Sequence, residues 1–204
     1  MSTLVLSTIQ DRVSGVSAPA SDLRGIWQQI GDTQVAANDA SIAFQDGGSY
    51  TLPGSWDRIK VVCKNVVAAT SAAELYLTYY QGGARVTSGY IWQAAAGYGH
   101  IDATAGICSA VTGNGSGFWM TFNSVNTATV PTEIDAVVMY PAATGYKWVK
   151  WNGVYLTSTS NTGWWIGGGL MGAPATTAPI DGVHLAFSTG NITSGEFTLY
   201  GMKE

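Results

Sequence analysis

Charge is scarce in this 204-residue chain: nine Lys and Arg, thirteen Asp and Glu, 11% in total, against about a quarter in ordinary soluble domains. The net charge of −4 leaves no basic patch to neutralise phosphates, which argues against a nucleic-acid partner. Two cysteines and two distant histidines match no zinc spacing. Cys63 and Cys108 each sit within an apolar, strand-like run and read as buried thiols rather than a disulfide pair. No run approaches eighteen apolar residues, so no membrane insertion is expected. The opening MSTLVLSTIQDRV has no basic n-region before an apolar h-region, so the expectation is synthesis in a cytoplasm without a signal peptide. Sustained helical periodicity is also missing, and only SAAEL (71–75) could begin a helix.

What is abundant is glycine, with 26 residues, and aromatics, with eight Trp, ten Tyr and five Phe. Strands and tight turns favour that composition. DRIKVVCKNV sets Ile59, Val61 and Cys63 on one face, and AELYLTYYQGG sets Leu75, Leu77 and Tyr79 on one face before the turn pair Gly82-Gly83. SGFWMTFNS opposes Phe118, Met120 and Phe122 to Trp119, Thr121 and Asn123. EIDAVVMY, nearly all apolar, reads as a strand buried on both sides. About ten such strands separated by turns predict an all-β fold, a jelly-roll-like antiparallel β-sandwich over 27–204. Residues 1–26, where SGVSAPASD shows no periodic apolar face, read as an extended N-terminal arm. Its Leu4, Val5, Leu6 and Ile9 are the candidate anchoring residues.

Catalytic signals are few. Glu133 and Asp135 share a strand face and could act as acid and base, but they also suit a polar strand entrance, which is the reading preferred. His100 and Asp102 share a loop, and two ligands make a poor metal site. His184, opposite Val183, Leu185 and Phe187, is expected on the outer face, at a surface or interface. No serine occupies a nucleophile elbow and no glycine run forms a phosphate cradle; Gly167-Gly168-Gly169 reads as close packing or a bulge. The expectation is a protein that is not an enzyme and has no cofactor and no metal. The aromatics Trp92, Trp148, Trp151 and Trp164 are the candidates for a subunit interface or a sugar-stacking surface. Trp148 and Trp151 cannot share a face of a regular strand, so at least one points outward.

The ending GNITSGEFTLYGMKE, with STIQDRVSG near the start and the strands WDRIKVVCKNV, AELYLTY and EIDAVVMY, resembles virion proteins of tailed bacteriophages. The resemblance is loose over 27–204 and most specific in the last fifteen residues. It implies a jelly-roll domain, a homotrimer and a place in the virion, as a head decoration or cement protein contacting the major capsid protein. The alternative it implies is a tail-fibre or receptor-binding tip that recognises host surface glycan. The sequence departs from long fibres in having no heptads or Gly-x-y repeats between arm and domain, which suits a clamp better than a reaching fibre.

Overall fold

Apolar residues at every second position become sheet faces because successive side chains of a strand point to opposite sides. The computed structural model describes residues 8–10, 17–19, 25–45, 56–100, 107–121, 131–158, 161–171 and 178–204. Among them the chain forms sixteen strands and no helix. β1 (Thr8–Gln10) and β2 (Ser17–Pro19) pair as a ribbon of their own. β3 (Gln28–Gln29), β4 (Gln34–Asp39), β5 (Ile42–Gln45) and β6 (Arg58–Ala68) follow. Then come β7 (Leu75–Gln81), β8 (Ala84–Arg85), β9 (Tyr90–His100), β10 (Ile107–Gly115) and β11 (Phe118–Trp119). β12 (Thr132–Met139), β13 (Lys147–Ser158), β14 (Asn161–Met171), β15 (Gly182–Phe187) and β16 (Ile192–Met202) complete the chain.

Two antiparallel sheets face each other. The larger runs β10-β9-β14-β13-β12-β6-β16-β3 with β4 also on β16; the smaller runs β11-β7-β15-β5 with β8 on β7. Within them lies the eight-strand jelly-roll order: β4-β16-β6-β12 in one sheet and β5-β15-β7-β11 in the other. Two hairpins are added to it. β9-β10 enters between β7 and β11, and β13-β14 enters between β12 and β15; both extend the larger sheet only. The larger sheet therefore outreaches the smaller at this end.

Local chemistry explains the joints. Gly82 and Gly83 have φ of 58° and 77°, so the two-residue link from β7 to β8 has the positive φ pair of a type I′ hairpin turn. In β6, Asn65 has φ 54° and the register against β12 slips between Thr132 and Ile134, a bulge. The Glu133 carboxylate accepts the Asn65 N–H at 3.1 Å. The final strand lies between β6 and β3/β4, with Phe197 and Leu199 buried. Gly25 N–H bonds to Lys203 C=O at 2.6 Å, which ties the start of the domain to its end.

Two expectations are corrected. EIDAVVMY is not buried on both sides: Ile134, Ala136 and Val138 are buried, whereas Val137 and Met139 are only half-buried, because no other described strand covers the outer face. SAAEL starts no helix; residues 71 and 72 form a turn, and the strand begins at Leu75. Within residues 1–26, residues 8–10 and 17–19 pair antiparallel. Ile9 belongs to that ribbon, opposite Ala18, and Leu4, Val5 and Leu6 lie outside the described residues.

Candidate functional site

Tryptophan in this sheet is placed by glycine. Trp92 faces Gly113, Trp151 faces Gly167 and Trp164 faces Gly97, each directly across a strand pair. In all three, a Cβ added to the glycine would fall inside the facing indole, so the ring lies flat on bare backbone. Aromatic cover of a strand glycine restores the contact that the missing side chain would have made.

The three pairs do not share a fate. Trp92 and Trp151 point between the sheets and are buried, Trp151 at 2% exposure. Their neighbours are aromatic too. Phe118 lies 5.9 Å from Trp151 and 4.9 Å from Tyr90 by ring centroids, and Trp165 lies 6.4 Å from Trp92. The Tyr90 hydroxyl accepts the Tyr79 N–H and donates to Val86 C=O, both at 2.9 Å, and burial holds its pKa above the usual phenol range. Trp92 and Trp151 are thus core residues, which corrects their candidacy for an exposed stacking or interface surface. Trp148 and Trp164 point outward, Trp164 at 41% exposure.

The outer face of the larger sheet divides into two halves. Across β13, β14 and β9, Val154 pairs with Trp164, Ile166 with Ala95, and Trp148-Leu170-Ile91 form one row. Ile91, Trp148, Val154, Trp164 and Ile166 are all large apolar residues left exposed. Between them Gly168 leaves a groove of about 440 Å³, with Gln93, Ala95, Thr112 and Ile166 on its walls. Across β6, β12 and β16 the face is polar. Lys60, Lys64, Glu133, Asp135, Asn152 and Tyr200 line a second groove of about 440 Å³. The Lys60 ammonium lies 5.2 Å from the Trp27 ring and 5.4 Å from the Tyr200 ring, a cation–π arrangement. Glu133 and Asp135 do share this face, and Glu133 is engaged with the bulge at Asn65, as a polar strand entrance requires.

His184 lies opposite Val183 and Leu185 as expected, yet it is only 6% exposed; this corrects its reading as a surface histidine. The Thr78 hydroxyl is 3.2 Å from Nδ1 and Arg85 Nη1 is 3.4 Å from Nε2, with the Tyr80 ring edge-on at 6.1 Å. A guanidinium can only donate. Nε2 is therefore the acceptor, and Nδ1 carries the proton to Thr78. Burial first, and the Arg85 charge second, push the imidazole down to about 4 from 6.5. Lys147, equally unexpected in a core, donates to the carbonyls of Ala143 and Gly145 at 2.7 and 2.9 Å; burial lowers its pKa.

Cys63 is buried and unpaired. Five strand spacings separate β6 from β10, about 24 Å at ~4.8 Å each, too far to bond Cys108. His100 has its backbone in β9, but its side chain and all of Asp102 fall outside the described residues. No group of three His, Cys, Asp or Glu that could hold a metal occurs among the described residues. Trp119 and Tyr76 were not singled out from the sequence. Their signal was present in the alternation of SGFWMTFNS and LYLTYY, but nothing in it said that two strands from different hairpins would bring them to within 5.7 Å. In comparisons with known protein families, with curated proteins and with solved structures, nothing matched this chain.

Proposed function

We propose that this chain is a non-enzymatic structural component of a bacteriophage virion, a jelly-roll decoration or cement protein that assembles with copies of itself, as a homotrimer, through the outer face of its larger sheet. The observation that carries the reading is the apolar half of that face, where Ile91, Trp148, Val154, Trp164 and Ile166 lie exposed on adjacent strands. Monomers seldom leave contiguous apolar surface of that kind in water. Each such side chain is already about half buried, so covering the remainder contributes roughly 1 kcal/mol apiece before association costs. The adjoining half supports a second copy as the occupant. Lys60 and Lys64 stand beside Glu133 and Asp135, so in a closed three-fold ring, where different patches of neighbouring copies meet, each sign of charge on one copy finds its opposite on the next. The ending GNITSGEFTLYGMKE, by its resemblance, supports the virion as the setting.

Light scattering on the purified chain at micromolar concentration tests the assembly. A trimer is expected, and Ile166→Asp should shift it to monomer while leaving the melting curve cooperative. A monomeric parent protein would count against the reading. Residues 1–26 are assigned the contact with neighbouring virion subunits such as the major capsid protein. Their deletion removes no strand of either sheet, since β3 begins at Gln28; it should leave the sandwich folded and abolish particle binding.

A further inference from the structure

Where the larger sheet outreaches the smaller, the sandwich leaves a cleft of about 480 Å³ at its margin. It is lined by Tyr76 and Trp119, backed by the buried Trp92, and by Thr112, Ser116 and the glycines 113 and 115. We propose that this cleft binds a neutral saccharide, one sugar ring stacking on the Trp119 indole while its hydroxyls meet Thr112, Ser116 and the adjacent backbone. The inference rests on other aromatics than the assembly face does: none of the five exposed apolar residues named there lines the cleft, although Thr112 of the edge strand β10 borders both grooves.

Among the described residues the lining carries no charged side chain. A phosphate, a carboxylate or an ammonium entering it would lose hydration with no counter-charge to replace it. Tyr76 keeps its proton as well: burial and the neighbouring Glu74 carboxylate, whose Oε2 its hydroxyl reaches at 3.4 Å, raise its pKa. The ligand that such a surface recognises is uncharged, apolar on a flat face and rich in hydroxyls at its edge. A pyranose has those properties, and its C–H face suits the electron-rich face of an indole. The volume lies within the range of small-molecule sites, about 300–1,000 Å³.

The site is also held ready. Trp119 is gripped by Tyr76, edge-on at 5.7 Å and 70°, and by Trp92 at 5.4 Å and 36°. Its carbonyl accepts the Trp165 Nε1–H at 3.1 Å. Trp92 is in turn seated on Gly113. A ring fixed before the ligand arrives spares the ordering cost that weakens binding. Gly115 adds an opening: a Cβ there meets nothing within 4 Å, so the cleft has room that a larger residue would occupy.

The test is a glycan array carrying neutral and sialylated glycans, probed with the full chain, followed by calorimetry with the best neutral disaccharide. Binding is expected on neutral glycans, and Trp119→Ala should weaken it by at least about tenfold. Because Trp119→Ala could loosen the sandwich, Gly115→Leu provides the second arm. It fills the opening without a backbone clash and should cost a similar factor at an unchanged melting temperature. In calorimetry, which reads affinity per site whatever the assembly state, Trp164→Ala, on the outer face, should bind the disaccharide as the parent does. A parent protein silent on every neutral glycan overturns the proposal, as does undiminished binding by Gly115→Leu. Loss of binding in Trp164→Ala would also overturn it by moving the site to the outer face.

Discussion

Trp151 over Gly167 and Trp164 over Gly97 are the same device on opposite faces of one sheet, on neighbouring strands. Each indole lies on bare backbone and each pair is directly opposed. One is core and the other is surface, solely because the smaller sheet covers the inner face and no other described strand covers the outer one. Local pairing thus fixes where an indole lies, while layering decides what it does. Inside, the pair fills volume between two sheets. Outside, it presents a flat apolar ring to whatever docks there, with Val154 beside it and Ile166 in the next row.

Truncating the two tryptophans should separate these roles most widely. Trp151→Ala opens a large void under Phe118 and Trp92 and should lower unfolding free energy by about 3–5 kcal/mol in denaturant titration. Trp164→Ala should change it by no more than about 1 kcal/mol and weaken self-association instead. Equal losses at both sites would remove the distinction between the faces.

The next largest effect belongs to the smaller sheet, whose outer face is also partly closed, over His184. Its folded pKa of about 4 lies below the unfolded value of 6.5, so the unfolded chain binds the extra proton between those values. The stabilising effect of a neutral His184 is complete above about pH 6.5 and is lost as pH falls to about 4. The change is of order 3 kcal/mol. Carboxylates titrate in acid too, so the measurement is the difference in pH dependence between the parent protein and His184→Gln. Parallel curves would show that the imidazole is not held neutral.

The smallest effect is at the glycines. Gly167→Ala drives a methyl into an indole with no room to move and should cost about 1–3 kcal/mol. Gly97→Ala meets an indole that can swing into solvent, and should cost less, below about 1 kcal/mol. Thermal melts of the two variants compare them directly, and the order reversed would mean that Trp164 is covered in solution.

Much of this was legible in the chain itself. Spacing alone separated Trp148 from Trp151, and the alternation of β6 and β7 put Ile59 with Val61 and Leu75 with Leu77 on shared faces, all four of them buried. Trp92 and Trp164 were not separable, because period two assigns residues to a face and says nothing about which face a second sheet covers. His184 was placed on the correct side of its strand but in the wrong environment, since Arg85 reaches it from the β8 turn and Tyr80 from the neighbouring strand.

By itself the sequence determined the longer strands, their alternation and the turn at Gly82-Gly83, all of which follow from interactions among residues close in the chain, whereas the pairing of β4 with β16 and of β5 with β15 joins strands distant in sequence. Only the tertiary structure decided that two inserted hairpins would extend one sheet and not the other. That asymmetry created both the uncovered apolar face and the marginal cleft of Tyr76, Trp92 and Trp119. The physical reason is that a side chain's burial depends on what lies across from it, and here the covering strands are distant in sequence.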